Sequence, residues 1–222
     1  MTYIEFVQDY LQRQIQGEPI YTDKISDAVT TTFGIEKEKA AAAVSVALKR
    51  IKDGDRVPDL RCFQKGIYYR TTGTPFGEIG IDKEKLIAQK YLLPDKGYLT
   101  GRYLLNQMGL TTQVPAEYLI ATNVARECLR YDKRLNVAVC PPKTLINKEN
   151  KRYLQFLDAI DLLDKAPIDV AKPYVFLSDY IKKQNLKYED LLYYSDRFYN
   201  QKTTIRLAHI ASQGRKENES SL

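Results

Sequence analysis

Residues 36–70 read EKEKAAAAVSVALKRIKDGDRVPDLRCFQKGIYYR, and two structural periods meet inside them. In the first half, Ala40, Val44, Ala47, Leu48 and Ile51 recur at the spacing of one helical face, and Asp53-Gly54 closes the run. In the second half, Asp59–Phe63 and Ile67–Arg70 read as two short strands joined at Gln64-Lys65-Gly66, where glycine suits a tight hairpin turn. The stretch therefore predicts an Ala-rich helix followed by a β-hairpin.

Upstream, Tyr3, Phe6, Val7, Tyr10, Leu11 and Ile15 mark an amphipathic helix expected to stop at Gly17. Pro19-Ile20-Tyr21 reads as a short extended piece, because proline excludes the helical conformation from the residue before it. Thr22 is the expected N-cap of a second helix carrying Ile25, Ala28, Val29 and Phe33 and ending at Gly34. Helix, strand, helix, turn, helix and hairpin is the order of a winged helix-turn-helix over residues 1–72, whose third helix enters the DNA major groove while the hairpin lies along the backbone.

Opposite the buried stripe of the third helix lie Lys39, Ala42, Ser45, Val46, Lys49 and Arg50. Cations serve phosphates or guanine edges, small side chains permit close approach, and apolar groups meet thymine methyls. Arg61 and Lys65 on the hairpin are the expected phosphate contacts. The competing reading is a solvated helix of good helix formers, with hairpin charges that discourage edge-to-edge association.

Charge alone does not choose between these readings. The 222 residues contain 34 Lys and Arg against 28 Asp and Glu, a net of +6, yet through Thr72 the count is 11 against 10. Any DNA-reading surface in residues 1–72 must arise by segregation of charge on one face. A single His and three well-separated Cys leave little of the usual catalytic or metal-binding apparatus, and no cofactor, metal site or enzymatic activity is expected. The odd cysteine count points to a reducing compartment, with cytoplasm the expected location. Glu5, Asp9 and Arg13 interrupt the apolar pattern of residues 1–16, unlike a secretory leader, and no apolar run is long enough to span a membrane.

Past a polar linker at 71–75, residues 75–213 read as a mixed α/β domain ending in helices, so the whole chain is expected to be α+β. Phe76–Gly80 looks extended, and Asp82 caps a helix that Pro94 ends. A short helix opens at Thr100 and closes at Gly109, followed by the polar turn Thr111-Thr112-Gln113-Val114-Pro115. Tyr118–Thr122, Glu127–Tyr131 and Leu135–Val139 read as strands, and four helices follow from Lys148 onward. The polar residues 214–222 are expected to form a disordered tail.

The helix–helix–Ala-rich helix order, the Arg-Cys-Phe-Gln-Lys-Gly-Ile-Tyr-Tyr-Arg hairpin, Thr100-Gly101 and Gly109-Leu110-Thr111-Thr112-Gln113-Val114-Pro115 together resemble the AbiEi family of antitoxins from type IV toxin-antitoxin systems in phage defence. The resemblance extends from Met1 to about Ile210, and the Gly109–Pro115 stretch is its most specific part. It implies a transcriptional repressor that binds the operator of its own operon as double-stranded DNA. It also implies an antitoxin that opposes a co-encoded nucleotidyltransferase-like toxin without a stable complex. The chain departs from the family in its nearly neutral N-terminal region and longer helical end. Two other classes stay open: a winged helix that docks a protein, and a nucleotide-handling enzyme using acids such as Glu117, Glu127 and Asp132.

Overall fold

The computed structural model describes residues 1–219, with side chains through Gln213, and is a mixed α/β protein. The chain divides into two compact units between Leu86 and Ile87.

In the first unit, α1 (Tyr3–Gln12), β1 (Ile20–Tyr21), α2 (Thr22–Phe33) and α3 (Lys37–Asp53) precede a hairpin of β2 (Leu60–Gln64) and β3 (Ile67–Arg70). The sheet order is β1-β3-β2 with both pairings antiparallel. All five apolar positions of the α3 stripe are buried, packed with Val7, Leu11, Ile25 and Val29 of α1 and α2. The three helices share one core because each presents a single apolar face. Gly66, at φ +85°, takes the left-handed position that the hairpin tip demands.

Two helix ends differ from the sequence reading. The first helix stops at Gln12 rather than Gly17, and Ile15 is 68% exposed. Arg70 explains the early stop, since its guanidinium donates to the carbonyls of Gln12 (2.5 Å) and Gln14 (3.2 Å) while Gly17 N donates to Arg70 O at 2.7 Å. β3 thus satisfies carbonyls that would otherwise call for another helical turn. Thr22 starts α2 instead of capping it, and both its amide (3.0 Å) and its hydroxyl (3.3 Å) donate to Gly66 O at the hairpin tip. At the other end, a capping box unread in the sequence opens α1: Glu5 N donates to Thr2 Oγ1 and Thr2 N to Glu5 Oε2.

The segment read as a linker belongs to the first unit. A two-residue hairpin, β4 (Gly73–Thr74) and β5 (Gly77–Glu78), carries Phe76 fully exposed at its tip. Thr71 Oγ1 donates to Ile79 O at 2.8 Å, and Asp82 N to Gly17 O at 2.8 Å. Lys85 pairs with Glu18. The last two contacts reach back to residues that precede α2, so the division falls near residue 86 instead of at 72–75. Asp82 caps α4 (Lys83–Ile87), accepting from Lys85 N at 3.0 Å, and a π-helical turn over Ala88–Leu92 continues the helix.

The second unit has a four-stranded sheet: β6 (Gly97–Thr100), β7 (Tyr118–Thr122), β8 (Arg130–Asp132) and β9 (Val137–Cys140), in the order β6-β7-β9-β8. β9 lies parallel to β7, and the other pairings are antiparallel. The strand expected at Glu127–Tyr131 is shorter and later, because pairing begins only at Arg130 opposite Val139. Helices α5 (Gly101–Gln107), α6 (Lys151–Leu162), α7 (Pro173–Lys183), α8 (Tyr188–Phe198) and α9 (Gln201–Glu219) surround a core that includes Leu105, Phe156, Leu157, Ile160, Leu177 and Leu207. The helix through Glu219 occupies most of the expected tail, and residues 220–222 lie outside the described residues.

Candidate nucleic-acid interface

The outer face of α3 is set by its buried one. With Ala40, Val44, Ala47, Leu48 and Ile51 turned inward, Lys39, Ala42, Ser45, Val46, Lys49 and Arg50 are all exposed, Val46 by 51%. The cations differ in their surroundings. Lys39 pairs with Glu36 one turn back at 3.2 Å, and Lys37 pairs with Asp27 at 3.3 Å. Lys49 and Arg50 have no ion-pair partner among the described residues and stand in the last turns of the helix, near Lys52. That position complements the negative end of the helix dipole, so they stabilise α3 modestly whatever else they do.

Ser45 and Lys65, 20 positions apart, line one cleft of about 210 Å³ between α2, α3 and the hairpin tip, together with Thr22, Asp23, Ser26 and Ala41. The Thr22–Gly66 hydrogen bonds hold the tip there. Arg61 does not share this freedom. Its guanidinium pairs with Glu78 at 2.9 Å and donates to the carbonyls of Pro58 (2.8 Å) and Leu60 (3.3 Å). Hydrogen bonding to Glu78 and its charge hold the Arg61 pKa above the ordinary arginine value. The expected phosphate contact is thus occupied within its own unit, and Lys65 is the hairpin cation left exposed. The first unit has 13 Lys and Arg and 13 Asp and Glu, and the remainder of the chain has 21 and 15. Compared with models of known protein families and with curated proteins, the chain finds no match.

In the second unit the residues from Thr100 to Pro115 fall into two separate arrangements. Thr100, at the end of β6, gives its hydroxyl to Asp158 Oδ2 (2.8 Å) instead of capping α5. Tyr98 (3.1 Å) and Tyr199 (2.7 Å) donate to the same carboxylate. Burial raises the Asp158 pKa against the opposing pull of these hydroxyls. Gly101 is buried at φ +70°, and a Cβ there would meet Leu119 at 3.2 Å. A cavity of about 320 Å³ is lined by Thr100, Gly101, Asp158, Lys143, Cys140 and Pro142. Burial, then the Asp158 charge, pushes the Cys140 thiol up to about 11, so it is protonated at neutral pH.

Gly109 ends α5 at φ +82°, and Leu110 enters the core. Asp169 then organises the turn, with Oδ2 accepting from Thr112 N (2.6 Å), Thr112 Oγ1 (2.7 Å) and Thr111 Oγ1 (3.2 Å). Hydrogen bonds from Thr112 hold the Asp169 carboxyl below the usual range. Gln113 N donates to Thr111 Oγ1 at 3.3 Å, Val114 is exposed and Pro115 is half-buried. Neither Asp158 nor Asp169 stood out in the sequence. Asp158 left one trace: it lies four residues after Leu154, on the apolar stripe of α6.

Among the described residues no three His, Cys, Asp or Glu side chains gather as metal ligands, and no helix is long and apolar enough to cross a membrane. His209 is exposed and stacks on Tyr174 with centroids 6.0 Å apart. Of the acids considered for an enzymatic role, Asp132 is bound to Lys90 (2.7 Å) and Tyr91 (2.8 Å), and Glu117 and Glu127 lie exposed.

Proposed function

We propose that the chain is a DNA-binding transcriptional repressor and antitoxin. In this reading the first unit is a winged helix-turn-helix in which α3 reads the operator of its own operon. The observation that carries the DNA half is the pairing pattern on α3: Lys49 and Arg50 are exposed, without ion partners among the described residues, beside Ser45 and Val46. Lys65 shares a cleft with Ser45 and supplies the phosphate contact of the wing. Charged groups held out in water without an internal partner are available to phosphates and guanine edges.

The antitoxin half rests on the resemblance of Thr100, Gly101 and Gly109–Pro115 to the AbiEi family. In this role the second unit counteracts a nucleotidyltransferase-like toxin without a stable complex. A gel shift on DNA from upstream of the chain's own reading frame tests the first half. Co-expression with the product of a neighbouring nucleotidyltransferase-like frame tests the second, with rescued growth as the expected result.

The neutral balance of the first unit and the exposed Phe76 favour a second reading, in which this unit docks a protein. The two differ in salt dependence. A phosphate-binding repressor loses affinity steeply as salt rises, whereas a protein-docking unit has no such DNA binding to lose.

A further inference from the structure

A second polar concavity lies beside β8 and β9 in the second unit. β8 is the last strand in the order β6-β7-β9-β8, with no further strand beyond it among the described residues. Against this strand and Val139 of β9 is a groove of about 450 Å³, lined also by Lys90, Arg130, Tyr131, Asp132, Lys133 and Arg134.

Its charge is one-sided. Asp132 is the only acid among the residues lining it, and that carboxylate is consumed internally. Oδ2 accepts from Lys90 Nζ (2.7 Å) and Tyr91 OH (2.8 Å), and Oδ1 accepts from the amides of Arg134 (3.1 Å) and Leu135 (3.2 Å). Arg130 and Lys133 are exposed, with no ion partner among the described residues. The second unit also has the whole excess of positive charge, 21 cationic residues against 15 acidic ones. Tyr131 adds an aromatic face. It is 43% exposed, and its hydroxyl donates to Asn136 Oδ1 in the turn that follows, which restrains the ring at the groove.

We infer that this groove binds the phosphate and base of a nucleotide unit, either free or as part of a single-stranded nucleic acid. Guanidinium and ammonium groups with no acid to answer them suit phosphate oxygens. A restrained, half-exposed tyrosine offers the stacking surface that single-stranded binders use. The volume falls in the range of small-ligand sites, and a concave site of that size suits a nucleotide better than a flat acidic protein surface. The assignment is independent of α3, which would meet double-stranded DNA in the other unit.

The test uses the full chain, with fluorescently labelled ATP and labelled 12-nucleotide mixed-sequence RNA and DNA single strands as probes, and the four unlabelled ribonucleoside triphosphates as competitors. Arg130→Ala/Lys133→Ala should weaken strand binding by roughly tenfold or more and flatten the slope of log affinity against log salt by about 1.4. Tyr131→Phe, which keeps the ring but loses its bond to Asn136, should lose at most about threefold, whereas Tyr131→Ala should lose roughly tenfold. Circular dichroism confirms that each variant is folded, and the Lys49→Ala/Arg50→Ala variant, with the groove intact, should bind single strands like the parent. Competition by free triphosphates would identify a nucleotide ligand, and strand binding without such competition would identify the polymer. The inference is overturned if the parent binds neither the labelled strands nor the labelled nucleotide, or if the folded Arg130/Lys133 variant binds them like the parent. Loss of single-strand binding in the α3 variant instead would assign that binding to α3.

Discussion

The outer face of α3 and the Thr100–Pro115 segment of the second unit are both rich in polar groups, and they treat them oppositely. On α3, Lys49 and Arg50 face water with no ion partner among the described residues. Between Thr100 and Gln113 the threonine hydroxyls are spoken for: Thr100 by Asp158, and Thr111 and Thr112 by Asp169. Polar groups satisfied inside a fold hold it together, and removing one partner strands the others. Charged groups left in water contribute little to folding and stay free for a ligand. The contrast leaves the α3 cations available to a ligand and gives the two aspartates an architectural role, and each half can be broken separately.

The largest effect is expected at Asp158→Ala, which leaves the hydroxyls of Tyr98, Thr100 and Tyr199 without their shared acceptor. Urea unfolding should register a loss of about 3 kcal/mol. A loss under 1 kcal/mol would mean that solvent in the adjoining cavity replaces the carboxylate. The pH trend has a definite sign: because the folded-state pKa is raised, this group's stabilisation is complete below about pH 3.9 and fades as pH climbs through the folded value.

Gly101→Ala comes next. The left-handed backbone and the approach to Leu119 should together cost about 2 kcal/mol, measured by thermal unfolding. An unchanged midpoint would show that β7 yields easily at Leu119.

Asp169 should behave in the reverse sense to Asp158. Its folded pKa is lowered, so its contribution is present above about pH 3.9 and disappears as pH falls through the lower folded value. The Thr112 amide resonance, followed by NMR through an acid titration, should move with a midpoint below that of an ordinary aspartate. A midpoint at the ordinary value would dissociate the turn from this carboxylate.

The smallest effect is expected at Arg61→Ala. The side chain is committed to Glu78 and two carbonyls, so DNA affinity should change by no more than about 0.5 kcal/mol. A tenfold loss in a gel shift would show that Arg61 leaves Glu78 for phosphate and would blur the line drawn between paired and unpaired cations.

What could be read in the sequence was what depends on near neighbours. The α3 stripe, the Ile67–Arg70 strand, the turn at Gly66 and the Tyr118–Thr122 strand follow from local period and turn chemistry, and the structure has them where the spacing put them. What escaped depends on distant partners. Arg70 ends α1 from 56 to 58 residues away, and Glu78 claims Arg61 from 17 away. Asp158 collects donors from positions 98 to 199, and Asp169 reaches back 57 residues to Thr112. No periodicity encodes such pairs. The unit boundary moved for the same reason, since only the folded chain brings Asp82 to Gly17. For the candidate interface, the exposure of Lys49 and Arg50 was legible from the helix pattern, whereas the pairing of Lys39 and the loss of Arg61 to Glu78 were not.

The most direct test of DNA reading by α3 is the salt dependence of binding to DNA from upstream of the reading frame, for the parent and for Lys49→Ala/Arg50→Ala. The parent should bind with a steep negative slope of log affinity against log salt. If both cations meet phosphates, the double variant should lose about 1.8 from that slope; a cation that contacts a base instead should cost roughly 1 to 3 kcal/mol in affinity. Equal affinity and equal slope for the two proteins would contradict the assignment of α3 as the DNA-reading helix.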